Sequence, residues 1–88
     1  MNGTRHDRQD GSLWEPGEYG LRALGLWYAC SPNGHLANLA LHNVVEHEDA
    51  TITVEPSIGI VDPQHGEPND PLHFLWHGFL ERGVWRKV

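Results

Sequence analysis

The stretch Trp76-His77-Gly78-Phe79-Leu80-Glu81-Arg82-Gly83-Val84-Trp85 constrains this chain more than any other. It reads as a β-hairpin: one strand, a tight turn at Glu81-Arg82-Gly83, and a return strand. Gly83 takes the positive φ that a short hairpin loop needs, because it has no Cβ to clash. Phe79, Val84 and Trp85 suit a pleated surface, and Trp76 and Trp85 are placed to pack across the pair.

Other stretches read the same way. Leu21 to Cys30 is an extended run that is apolar on both faces, with Leu24, Leu26 and Tyr28 on one side and Ala23, Gly25, Trp27 and Ala29 on the other. That pattern predicts a central strand. Ser31-Pro32-Asn33-Gly34 is a turn signal. Residues 36–46 fit two descriptions, a short helix with Leu36, Leu39, Ala40 and Val44 on one face, or a strand around Ala37 to Leu41. Thr51-Ile52-Thr53-Val54-Glu55 alternates cleanly, with Ile52 and Val54 facing inward. Pro56 ends it, and Ser57 to Ile60 continues as an irregular or bulged piece. The prolines and polar residues from Asp62 to Pro71 predict a loop. The expected fold is mainly β: one small domain, a meander or sandwich of four to five short strands, with a short helix at 36–46 as the alternative.

Composition sets the boundaries. The chain has 88 residues, so it holds one domain with a modest core. Residues 1–12 are polar and charged without an apolar period, and read as a flexible N-terminal arm. Leu13, Trp14 and Tyr19 are placed to tack that arm to the domain at 13–88. Twelve acidic residues against six basic ones give a net charge of −6, which argues against nucleic acid as a partner. No stretch is long and apolar enough for a bilayer, and no secretory h-region is present, so the expected location is the cytoplasm. Cys30 is the only cysteine, so an internal disulfide is excluded.

Seven histidines make metal chemistry the first functional question. Cys30-Ser31-Pro32-Asn33-Gly34-His35 has the outline of a zinc knuckle, in which two thiolates in a tight turn meet one metal and a glycine lets backbone amides approach. Asn33 stands where the second cysteine would be. A variant zinc site would need Cys30 and His35 from the turn and His77 from the hairpin. His73 and His77 cannot both join it from one strand, since residues i and i+4 lie about 13 Å apart there. The plain alternative is a buried thiol, a surface imidazole at the turn, and His77 hydrogen-bonded to backbone. His42, Glu46 and His47 read as a solvated acidic face. No Ser-His-Asp elbow, phosphate loop or zinc-protease helix is present. Of the four tryptophans, Trp27, Trp76 and Trp85 are candidates for partner anchors, with membership of the core as the alternative.

These motifs, taken in order, resemble a family of small uncharacterised domains of tailed phages and actinobacteria, some of them labelled ammonia monooxygenase. Its members carry a Cys-x-x-Cys-Gly turn, a Pro-Ser-Ile segment and a closing Trp-His-Gly hairpin. Here Cys30 and Gly34 match the turn, Pro56-Ser57-Ile58 the central segment, and His77, Gly83 and Trp85 the hairpin. The likeness spans roughly residues 24–88. It implies a zinc-ribbon-like domain, but Asn33 replaces a ligand and no cysteine lies within 60–76. Either His35, His65 or His73 substitutes in a variant site, or the site is vestigial, with the metal lost and its shell kept. The function expected from all this is a non-enzymatic, accessory or regulatory protein-binding domain, phage-encoded or actinobacterial. The alternative is a metal-binding hydrolase or metal-dependent regulator built on Cys30, His35 and His77. A homodimer paired through the C-terminal strand is a third expectation.

Overall fold

The computed structural model describes residues 1–10 and 12–88. The chain is mainly β. Its strands are β1 (Thr4–Arg5), β2 (Glu18–Arg22), β3 (Leu26–Cys30), β4 (Leu36–Asn38), β5 (Asn43–Glu46), β6 (Ile52–Val61), β7 (Phe74–Glu81) and β8 (Val84–Lys87). They form two four-stranded sheets, β1-β2-β3-β4 and β5-β6-β7-β8. Only the β1–β2 pair is parallel.

Eight strands replace the four or five expected, because two predicted runs are broken. Leu21 to Cys30 is two strands joined by a 3-10 turn at Ala23–Gly25, where Leu24 (φ 66) and Gly25 (φ 72) reverse the chain. The 36–46 stretch holds β4 and β5 and no helix. Leu39 drops into the core between them, and the Leu39 carbonyl accepts the His42 N–H at 3.0 Å to close a turn.

The sheets share one core. Tyr19, Ala29 and Leu39 from the first sheet and its flank meet Ile52, Val54, Ile58, Trp76, Leu80 and Trp85 from the second. Ile52 and Val54 face inward as their alternation requires. Beyond them β6 bulges: it advances four residues from Val54 to Ile58 while β7 advances two from Leu80 to Gly78. The hairpin forms as read, with Arg82 (φ 46) and Gly83 (φ 77) as its two loop residues. Trp76 and Trp85 pack edge to face with centroids 5.2 Å apart.

The largest difference from the sequence reading is the N-terminus. Residues 1–8, expected to be a flexible arm, are hydrogen-bonded to both sheets. The N–H groups of Thr4, His6 and Arg8 donate to the carbonyls of Gly17, Tyr19 and Leu21. Gly3 N–H donates to the Gly83 carbonyl, and Trp85 N–H to the Met1 carbonyl. The free side of β8, expected to be an open edge for dimer pairing, is thus covered at Val84 and Trp85 by residues 1–3. Arg5 bonds Asp7 (2.8 Å) and Glu46 (2.7 Å), and Arg8 bonds Glu18 (2.7 Å).

These ion pairs predict an acid response. The Arg5 hydrogen bond, opposed by burial and helped by Leu21 N–H, holds the Asp7 carboxyl below its ordinary value. Burial pushes Glu18 up, but the Glu15 N–H, Arg8 and His6 together outweigh it and hold this carboxyl low. A carboxyl held lower in the folded state stabilises above its unfolded pKa and stops doing so as pH falls through the folded value. The urea midpoint should therefore drop as pH falls below about 4, with the amides of His6 and Arg8 losing hydrogen-exchange protection first. An unchanged midpoint at pH 3 would show that these pairs do not hold the strap.

Candidate functional site

The predicted metal set is dispersed. Cys30 sits on β3, one residue from core-facing Ala29, so its thiol points to the outer face of the first sheet. The segment at Trp14 covers it, with Sγ 3.9 Å from the Trp14 carbonyl. Burial, and then the charges of Glu18 and Glu15, push this thiol above its ordinary value. His77 lies on β7 between core-facing Trp76 and Leu80, so its ring points to the outer face of the second sheet. Cys30 and His77 face away from each other across the sandwich and cannot share an ion. His35 stays with the turn, where its backbone exchanges hydrogen bonds with Ser31. Among the described residues, no three His, Cys, Asp or Glu side chains are grouped to hold a metal.

The turn does meet the hairpin, through Asn33. Ser31, fully buried, donates its hydroxyl to Asn33 Oδ1 and accepts the His35 N–H. Asn33 Nδ2 then donates to the Leu75 carbonyl at 3.0 Å, at the start of β7. The amide at the missing cysteine's position therefore braces one sheet to the other.

The histidines do similar work. His77 Nε2 lies 2.9 Å from Ser57 Oγ in the β6 bulge, and Phe74 stacks on the ring at 4.4 Å. His42 Nε2 donates to the Ser57 carbonyl at 3.1 Å. A serine beside an imidazole is two parts of a nucleophilic triad. No carboxylate among the described residues orients His77 from its other nitrogen, and Phe74 covers the ring face. The pair fastens the bulge to β7. His47 bonds Thr53 Oγ1 at 2.7 Å, and His65 bonds Asp70 at 3.0 Å.

The expected tryptophan anchors are also placed elsewhere. Trp76 and Trp85 are 5% and 3% exposed, core members that no partner reaches. Trp27 is half-buried beneath the Arg5 guanidinium at 4.8 Å.

Among the described residues, one concavity of about 400 Å³ is lined by the polar residues His6, Asp7, Arg8, Gln9, Asp10 and Ser12, and two others have apolar walls. A groove of about 550 Å³ crosses the outer face of the second sheet, between Asn43, Pro56, Phe79 and Arg86. Its cation is engaged internally: Arg86 bonds Glu81 at 2.6 Å and lies over Phe79 at 4.5 Å. The second, a cleft of about 290 Å³, opens on the outer face of the first sheet between Ser12, Leu13, Trp14, Arg22, Cys30 and Leu36. Register fixes its floor. Leu36 pairs with Cys30, and Arg22 with Leu26, and residues directly opposite share a face. Leu13, 88% exposed, and Leu36, 44%, line it. The exposed Leu26 lies opposite Arg22 on the same face, and Leu24, 96% exposed, stands at the turn between β2 and β3. Sequence reasoning placed Leu13 and Trp14 as tacks and Leu24, Leu26 and Leu36 on strand or helix faces, but passed over Arg22 and gave these leucines no exposed role. The signal lay in the Arg22-x-Leu24-x-Leu26 alternation, which reads equally as the interior of a central strand.

No family model, no curated protein and no solved structure matches the chain. The family resemblance therefore rests on its short motifs alone. Among the described residues, no helix is long and apolar enough to cross a membrane.

Proposed function

We propose that this chain is a small non-catalytic protein-binding domain, accessory or regulatory in role, that docks its partner on the outer face of the first sheet. The observation that carries this reading is Leu24. Its φ of 66° is a conformation that costs a leucine about 1 kcal/mol or more. Its side chain is almost wholly in solvent, so burial returns nothing to the fold. A strained leucine almost wholly in solvent, at the turn of a sheet whose outer face also carries exposed Leu26 and Leu36 and a cleft with apolar walls, favours a surface meant to be covered.

The test uses two readouts with opposite signs. Leu24→Gly relieves the strain and should raise unfolding stability by roughly 1 kcal/mol. The same variant, and Leu36→Ser with it, should lose the partner that the native chain retains from a lysate of its source, while Phe79→Ser in the opposite groove keeps it. An identical retained set for all variants would remove this face from consideration. Gel filtration of native and Leu24→Gly chains checks whether the partner is a second copy.

A further inference from the structure

We infer that the cleft between Trp14, Arg22 and Leu36 receives the C-terminal residue of the partner, its apolar side chain seated at the Cys30 end and its free carboxylate on Arg22. This rests on the docking reading above and adds the chemistry of what docks. The chain has twice as many acidic as basic residues, and Arg5, Arg8 and Arg86 each hold a carboxylate. Arg22 is half-buried and, among the described residues, forms no ion pair and no side-chain hydrogen bond. It lies against the Tyr28 ring at 5.2 Å, at the mouth of the cleft. A half-buried guanidinium left without a carboxylate in so acidic a chain is a vacant half of a charge-assisted pair.

The rest of the cleft sets the remaining chemistry. Trp14, Leu13, Leu36 and the neutral Cys30 thiol form apolar walls. The Trp14 Nε1–H is buried and has no acceptor among the described residues. At about 290 Å³ the cleft sits at the low end of ligand pockets, room for one residue rather than a larger molecule. Orientation follows from charge. Glu18 and Glu15 act on the Cys30 end; Arg8 offsets Glu18 at 2.7 Å, whereas Glu15 forms no ion pair among the described residues. An anionic group is repelled from that end and drawn to Arg22, which leaves the Cys30 end for the apolar side chain.

The experiment is calorimetric titration of the full chain at low salt with a pentapeptide ending in leucine. The peptide is used with a free carboxylate and again as the C-terminal amide, with 4-methylpentanoate as a third ligand. The acid should bind about tenfold more tightly than the amide, the usual size of a hydrogen bond to a charged group. Arg22→Gln should erase that ratio with an unchanged melting temperature, while Arg82→Gln keeps it. Equal affinity for acid and amide overturns the role of Arg22 and leaves the docking face standing. Binding of 4-methylpentanoate as tight as the peptide overturns the partner as the source of the carboxylate and keeps Arg22 as its receiver. No binding of any of the three overturns the inference.

Discussion

Trp85→Ala is expected to leave the chain unfolded at room temperature. Trp85 is 3% exposed, packs edge to face on Trp76, and lies opposite Leu80 in the β7–β8 register. Its indole N–H donates to the buried Gly17 carbonyl at 2.9 Å, which ties the second sheet to the first. Truncating a buried tryptophan costs about 3–5 kcal/mol through lost burial and the cavity left behind. The Gly17 carbonyl keeps the Thr4 N–H as a donor at 3.2 Å, so losing the indole hydrogen bond adds about 0.5–1.5 kcal/mol. A domain of this length has roughly 4–13 kcal/mol in total, and its small core places it toward the lower end. Trp85→Phe keeps most of the apolar contact and loses the hydrogen bond, so it should fold with a urea midpoint well below the native one. Circular dichroism and urea titration read both. A Trp85→Ala chain with native cooperativity would mean that Trp85 is peripheral, and the shared core would have to be redrawn.

The tryptophans show how far pattern alone reaches. Their mutual packing was legible, because period-two alternation puts Trp76 and Leu80 on one face of β7 and a two-residue loop sets Trp85 across from Leu80. Their role as anchors was not, because it was argued from their number rather than from that same alternation. Ile52 and Val54 were placed correctly by β-branched alternation, and the bulge after Pro56 by the broken pattern. The break at Leu24 was invisible, since no leucine announces a positive φ. The N-terminal segment misled for a different reason. Its order comes from backbone pairing with β2 and from Arg5 and Arg8 reaching carboxylates, 41 and 10 residues away in sequence at their farthest. Composition measures what a segment can bury and is blind to such pairings. Arg22 was missed likewise, because lacking a carboxylate is a property of the folded chain and not of a spacing.

Gly83→Ala is expected to cost about 2–5 kcal/mol, a large loss for one added carbon. Two effects combine. The residue sits at φ +77, which an L side chain adopts at a cost of roughly 1–2 kcal/mol. Its Cβ would also stand 2.6 Å from the Tyr19 hydroxyl and 3.1 Å from the Thr51 methyl, a contact that forces one of them aside at about 1–3 kcal/mol. The position is a junction as well as a turn. Gly83 N–H donates to Ile52 on β6 at 3.0 Å, and its carbonyl accepts Gly3 N–H from the N-terminal strap at 2.7 Å. Displacement there should therefore be felt in residues 1–8 before the core. Native-state hydrogen exchange should show Gly3, Thr4 and His6 losing protection ahead of Ile52 and Leu80. D-alanine at the same position, introduced by chemical ligation, favours positive φ and directs its methyl elsewhere, so it should recover most of the stability. A Gly83→Ala chain within about 0.5 kcal/mol of native, the range of an ordinary surface change, would mean that neither the turn geometry nor the Tyr19 contact is as tight as described.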